Sequence, residues 1–580
     1  MTPAPAAPAP VASGAVPTPP PGYWQREASH FPQPLTPAFR VFLDWENDIW
    51  LKLAAEHGMM FDGIEFREIG GWVYQRLRPL GGKDRKAPPA PIMWVLVRTV
   101  PQLRGRIKTL LAAQKADLTM QQLDHWHGTW KAEQIETIAR LRIVDLDALS
   151  DAALDAHADD VSAFGYESMR RHFELTLALG TIAELFFFCE EKLGWTDRQV
   201  VELLSGLSVA STEPSRRLAE LARLAAERPA VRQLIESGGA DAYSRLVALD
   251  AEFAAAFDAY QHEFGCRALR YEVVDPTLEE VPALTLGLIR DQINRNYDPE
   301  VEATALRRRR DATVDRARKG LFARPPADRD EFERLLARAE RYYPTREDNE
   351  LYTVSAPLAL LRYTVVEYGR RLHQAGLIDS PEDVFFLEWP ELSPALQEGR
   401  DSRALVAGRK AERASVIESP GAASYGVDPG GPPPLGVFPK EAANNIRMVL
   451  WATEKVFGAE AQRENESAAA AQPSAGLRGV PAAPGAYTGP VRVILDETEF
   501  DRIQPGDVLV CPITSPVWSI LFPSVGALVT DTGGILSHPA IISREYGIPA
   551  VVATGTATST LKDGQIVTVD GATGLVTPAA

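Results

Sequence analysis

Cysteine is scarce. The 580 residues include only Cys189, Cys266 and Cys511, an odd number set far apart, so neither a disulfide framework nor a Cys-x-x-Cys metal site is expected. Positive charge is also short. Lys and Arg total 61 against 78 Asp and Glu, a net charge of -17, which argues against nucleic acid or an anionic membrane as a general partner. The one basic run, Arg307 to Arg310, reads as a solvated helix face. No unbroken apolar run of about 18 residues is present, so no transmembrane helix is expected. The N-terminus lacks the basic start and apolar stretch of a secretory signal, and the expected location is the cytoplasm.

What is present is the profile of a globular protein, 45% apolar and 24% charged, long enough for several domains. Residues 1–22 are rich in Pro and Ala and read as an extended tail. From 23 to 457 the pattern is overwhelmingly helical. In "DEFERLLARAERYY", Phe332, Leu335, Leu336, Ala339 and Tyr343 recur at helical spacing, and "HFELTLALGTIAELFFFCEEKLG" predicts a buried helix ending near Gly194. A final helix is expected from Lys440 to Phe457. Residues 458–476 are small and polar and read as a linker or hinge. Residues 477–580 change texture to short β-rich runs split by Gly, Pro and Asp, a separate α/β domain. The fold class is therefore multidomain: a large, mainly helical region followed by a small α/β domain.

The stretch "TDTGGILSHPAIISREYGIPAVV" carries the clearest chemistry. A strand ends before Gly533 and Gly534, which permit a tight turn. Pro539 suits the first turn of a helix, and Gly547 with Pro549 suits its end. His538 is thereby placed at a helix N-terminus, where free amides and the dipole favour an anion. A phosphoryl group carried on the imidazole would be held there; a simple helix-capping histidine is the alternative.

Together with "DGQIVTVDGATG" and "GVPAAPGAYTGPVRVI", this stretch resembles the swivelling phosphohistidine domain of the PEP-utilising enzymes, over about Gly479 to Val576. That family includes PEP synthase, pyruvate phosphate dikinase and rifampin phosphotransferase. The resemblance makes His538 the phosphorylated residue and Gly533, Gly534 and Ser537 its phosphate-binding loop. Leu536, where PEP synthases commonly carry a small polar residue, leans toward rifampin phosphotransferase and phenylphosphate synthase.

More weakly, "FPQPLTP", "FGCRALRYE", "REDNELY", "LLRYTVVEYGRRL" and "DVFFLEWPEL" are similar to the substrate-binding region of rifampin phosphotransferase and to the histidine-bearing subunit of phenylphosphate and para-cresol phosphate synthases. Relatives carry histidine where Cys266 stands. No ATP-grasp pattern is visible before the small domain and no PEP barrel after it. The resemblance then implies an ATP-grasp partner subunit that binds ATP and Mg2+, phosphorylates His538 and releases AMP and phosphate, with a phenol as acceptor. An antibiotic or other alcohol as acceptor, and a phosphocarrier or signalling module, are the alternatives.

Phosphoryl transfer needs positive charge and a base. Arg267, Arg270 and Glu272 supply both, with Arg346, Glu347 and His262 as further acceptor-site candidates; each also reads as a structural or surface group. His125 and His127 lack a third ligand, and no metal site is expected. Trp126 and Trp130 share a helix face and suit either core packing or an aromatic pocket.

Overall fold

The computed structural model describes residues 19–579 except 29, 82–87, 208, 240, 296–298, 420, 429–433, 459–460, 463–464, 466–475 and 515. Nearly all of the 1–22 tail and most of the 458–476 hinge lie outside the described residues.

The N-terminal region is mainly helical, as expected, but it also holds a small sheet that the sequence reading did not include. Strands β1 (Trp24–Arg26), β2 (Phe61–Ile69), β3 (Trp72–Pro79) and β4 (Ser424–Tyr425) form an antiparallel sheet in the order β2-β3-β1-β4. Ile69 pairs with Trp72 across Gly70 and Gly71, whose φ angles of 59° and 83° make the two-residue loop that a tight hairpin requires. Trp24, Ile69, Trp72 and Tyr74 form a small core on this sheet.

The remainder of this region is helical. The site is framed by α1 (Arg40–Glu56), α2 (Asp151–Thr176), α3 (Leu179–Leu193), α4 (Ala251–Phe264), α5 (Pro326–Tyr342), α6 (Thr345–Glu350), α7 (Ala356–Gln374) and α8 (Lys440–Phe457). The predicted single buried helix is two: α2 and α3 break at Leu177–Ala178, and Gly194 ends α3 in the left-handed conformation. The span 151–193 is long and apolar enough to cross a membrane, with mean hydropathy 1.4 over an 18-residue window. That departs from the expectation of no such stretch. However, 61% of the window is buried inside the protein, and α3 packs on α5 and α8, so this is a core element. Phe332, Leu335, Leu336, Ala339 and Tyr343 all lie in that core.

The C-terminal region is an eight-stranded sheet of order β5-β12-β11-β7-β8-β9-β10-β6. Its strands are β5 (Leu477–Arg478), β6 (Val480–Ala483), β7 (Ala486–Val493), β8 (Val508–Cys511), β9 (Ala527–Thr530), β10 (Ala550–Val552), β11 (Ile566–Asp570) and β12 (Leu575–Pro578). β7 to β10 run parallel, and β9 reaches β10 through α9 (His538–Glu545). The stretch around "VWSILF" is a 3-10 helix, Pro516–Ser524. Parallel strands offer their carboxyl ends to ligands, and the 531–537 loop with His538 lies at such an end.

Candidate phosphohistidine site

Ser537 is the N-cap of α9 and Pro539 lies in its first turn, so the helix opens at His538. The preceding loop is tied down at both ends. The Asp531 carboxylate accepts from the Thr558 amide at 3.1 Å, and the Ser537 hydroxyl donates to the Gly534 carbonyl at 2.7 Å. Gly533 has φ 108°, open to glycine and strained for other residues.

This loop is docked on the helical region. The amides of Gly533, Gly534 and Leu536 donate to the carbonyls of Phe457, Val456 and Lys455, at 3.2, 2.9 and 2.7 Å. Those are terminal carbonyls of α8 that its own helix leaves open. A Cβ on Gly534 would come within 2.3 Å of the Lys455 carbonyl oxygen, so the approach requires glycine. Arg346 Nη1 donates to the Leu536 carbonyl at 2.7 Å. Farther out, the Gly206 amide donates to Glu545 at 2.9 Å and the Tyr546 hydroxyl to Ser215 at 2.5 Å. The apolar cores run across this contact: Ile535, Leu536 and Ile541 join Phe186, Tyr343 and Trp451.

Within the contact, His538 Nδ1 lies 3.5 Å from a carboxylate oxygen of Glu347. Its Nε2 is buried without a hydrogen-bond partner. Near it lies a cluster of titratable side chains. His30 sits among Glu27, Glu46 and Glu350, with 44% of its side chain accessible. Its ring meets Tyr271 edge-on at 5.4 Å and Phe457 at 6.2 Å.

The electrostatics are unusual. Burial opposes charge on His30, but the paired Glu27 carboxylate, 2.7 Å away, outweighs it with help from Glu46 and Glu350 and raises the imidazole to about 9. Burial, reinforced by Glu347, raises Glu350 to about 7 against the pull of His538, His30 and Tyr271. Burial also lifts Glu46 to about 8 and pushes Tyr271 well above the usual phenol range. His172 is lowered to about 4 by burial and by the charges of His30 and Arg346. A neutral imidazole, a cationic one and a carboxyl that titrates near neutrality thus lie within one electrostatically coupled cluster.

Of the residues singled out from the sequence, Arg346 and Glu347 meet His538 and its loop. Arg267 is buried, donates to the Phe264 carbonyl and lies 5.2 Å over that ring. Arg270 sits 3.2 Å from Asp275 and 3.3 Å from Glu497 of the C-terminal region, bridging the two regions. Glu272 accepts from the Thr36 amide and hydroxyl, both buried, and anchors the N-terminal segment. His262 is exposed, and Cys266 is a buried thiol whose pKa is raised by burial. Gly533 and Gly534 spend their amides on α8. His127 pairs with the Thr345 hydroxyl at 3.2 Å, His125 stacks on Trp130, and Trp126 is wholly buried. Sequence reasoning missed His30, His172, Tyr271 and Glu350. Glu350 had a signal: it follows Glu347 by three residues, one helical turn.

Two domain families account for this arrangement. Residues 503–574 match the PEP-utilising enzyme mobile domain, and residues 172–347 match the rifampicin phosphotransferase fourth domain. Residues 503–574 are thus similar to the PEP-utilising mobile domain, and they are docked on a helical region whose residues 172–347 are similar to the rifampicin phosphotransferase fourth domain. Among relatives, an uncharacterized phosphotransferase, YvkC, of Bacillus subtilis is 32% identical over 55% of this chain and 35% of its own length. A rifampicin phosphotransferase of Streptomyces sviceus is 30% identical over 55% of this chain and 34% of its own. Chondramide synthase cmdD of Chondromyces crocatus is 28% identical over 96% of this chain but only 14% of its own length. The chain thus spans about a third or less of the length of these curated relatives.

Proposed function

We propose that this chain is the histidine-bearing part of an ATP-dependent phosphotransferase. His538 receives a phosphoryl group from ATP, split to AMP and phosphate at an ATP-grasp module on a partner subunit. It then delivers the group to the hydroxyl of a phenolic acceptor held beside His30, Tyr271 and Glu350. The observation that carries this reading is His538 itself: a helix-start imidazole with Nδ1 against Glu347 and a buried, unpartnered Nε2. The mobile-domain match supports a phosphohistidine carrier.

Tyr271 and Phe457 beside His30 suit a flat aromatic acceptor. Arg346 bonds the loop at the Leu536 carbonyl, and the raised pKa of His30 favours its charged form; both favour the phosphoryl charge. The rifampicin phosphotransferase match over 172–347 favours a second reading, in which the acceptor is a larger hydroxylated compound such as an antibiotic.

The test is direct. The chain is incubated with a candidate ATP-grasp subunit, ATP labelled in its β-phosphate, phenol, 4-methylphenol and rifampicin. Acid-labile label on His538 followed by labelled aryl phosphate supports the first reading, and labelled rifampicin the second. Label on another residue, or transfer undiminished in His538→Ala, refutes both.

A further inference from the structure

We propose that Glu350 is the general base of the acceptor half-reaction, receiving the proton of the hydroxyl that attacks phosphorylated His538, and that Tyr271 holds its carboxyl in position. This rests on the reading of His538 as phosphoryl carrier.

The argument begins with helix phase. Glu347 and Glu350 are three apart on α6, so they project from one side of it. Glu347 reaches His538 Nδ1, which sends Glu350 one turn further, toward His30 and Tyr271. Glu350 Oε1 is buried and has no hydrogen-bond partner, and neither has His538 Nε2. Two buried atoms left without partners on neighbouring, electrostatically coupled groups are each costly unless a donor arrives. A substrate hydroxyl satisfies the geometry: its proton turns to Glu350 while its oxygen faces the phosphoryl group on Nε2.

The step balances. The oxygen–phosphorus bond forms as the Nε2–phosphorus bond breaks, and its electron pair returns to the imidazole. Glu347 keeps the proton on Nδ1, so the imidazole leaves neutral. The hydroxyl proton passes to Glu350 and then to solvent.

The groups around Glu350 are defined. Its own helix gives Glu347, Arg346 bonded to Leu536, and Asp348 paired with Lys131. α2 gives His172, α9 gives His538, α1 gives Glu46, the N-terminal segment gives His30 with Glu27, and the chain after α4 gives Tyr271. The arginines of α5 at 338 and 341 pair away from it with Asp117 and Asp124, and Arg216 of the neighbouring Val209–Ala226 helix pairs with Glu213 and Glu220. The carboxyl, raised to about 7, is matched to proton transfer at neutral pH.

The experiment loads His538 of the full chain, either through an ATP-grasp partner or chemically with phosphoramidate. Discharge is then followed per loaded molecule from pH 5.5 to 8.5, with 4-methylphenol and with water alone. Wild-type discharge should rise through about pH 7 as Glu350 ionises. Glu350→Gln should discharge about a hundredfold more slowly with a flat profile. Glu350→Asp should restore part of the rate together with the pH rise, and Tyr271→Phe should move the midpoint. A wild-type rate and profile in Glu350→Gln overturns the proposal. If 4-methylphenol does not accelerate wild-type discharge, the phenolic reading alone fails, and the Glu350 comparison is read on water. If neither route places phosphate on His538, the carrier reading fails and this proposal with it.

Discussion

Two short stretches bring arginine and glutamate close together, "FGCRALRYE" and "TREDNE", and the fold uses them differently. The first follows the end of α4 in irregular chain, where successive side chains diverge. Arg267 turns back on Phe264, Arg270 reaches Glu497, Tyr271 meets His30 and Glu350, and Glu272 holds Thr36. The second is one short helix, α6, so Arg346, Glu347 and Glu350 work from it on His538 and its loop. The composition of the two stretches is similar. What separates them is the regularity of the backbone that carries them.

The sharpest way to break this comparison is to prevent the loop from reaching α6 at all. Gly534→Ala places a methyl against the Lys455 carbonyl oxygen at 2.3 Å and the Glu454 carbonyl oxygen at 2.7 Å. Backbone on both sides leaves little room to yield. The docked arrangement should lose more than about 3 kcal/mol, over a hundredfold in population. The sheet should fold normally, since the contact is with α8. Hydrogen exchange at α8 and the rate of phosphoryl delivery should both register the loss; unchanged protection and rate would show that the loop does not approach α8 this closely.

Next in size is Arg346→Ala against Arg267→Ala. Arg346 donates to the Leu536 carbonyl, two residues before His538. Its removal should slow delivery by about 2 kcal/mol, roughly thirtyfold, with thermal stability nearly kept. Arg267→Ala should do the reverse, lowering the melting temperature and sparing delivery per folded molecule. Equal kinetic losses would return Arg267 to the chemistry.

The C-terminal α/β region was legible because its signals are local: Gly533 and Gly534 before a helix start, β-rich runs at short spacing, and a Gly–Pro stop. α8 was read at the bounds the structure gives, since its periodicity is strong. The N-terminal sheet was missed although "FREIGGWVYQ" carries a glycine pair between alternating runs, because the surrounding helical pattern outweighed it. His30 and Tyr271 were not legible, because their value depends on a meeting of segments about 240 residues apart. No spacing within either segment encodes that meeting.

A smaller effect separates anchor from catalyst. Glu272 accepts two bonds from Thr36, whose donors are buried. Glu272→Ala should cost about 2 kcal/mol of stability by stranding those donors, measured by denaturant unfolding. Discharge of phosphorylated His538 should be unchanged in the folded fraction. A discharge defect without a stability loss would make Glu272 a catalytic group after all.

The smallest expected effect concerns pH and the docking surface itself. Burial raises Glu545 to about 7 where it accepts from the Gly206 amide, and burial raises Glu497 to about 7 beside Arg270. With the small region undocked, Glu545 returns to water and to an ordinary carboxyl value. Its docked value is higher, so docking takes up a proton between the two. The stabilisation is fully present below the ordinary value and is lost as pH rises through about 7. Docking should therefore weaken with rising pH across that window, by at most about tenfold per unit for each group that titrates. Glu545→Gln keeps an acceptor for Gly206 but removes the proton. It should dock as wild type at pH 5, dock several-fold more tightly than wild type at pH 8, and show a shallower slope between. Cross-linking yield between Tyr546 and Ser215 replaced by cysteines reads this directly, on both backgrounds. Identical slopes with Glu and Gln at 545 would mean that this carboxyl stays hydrated in the docked arrangement, and that any pH sensitivity of docking belongs to Glu497 and the groups around Glu350.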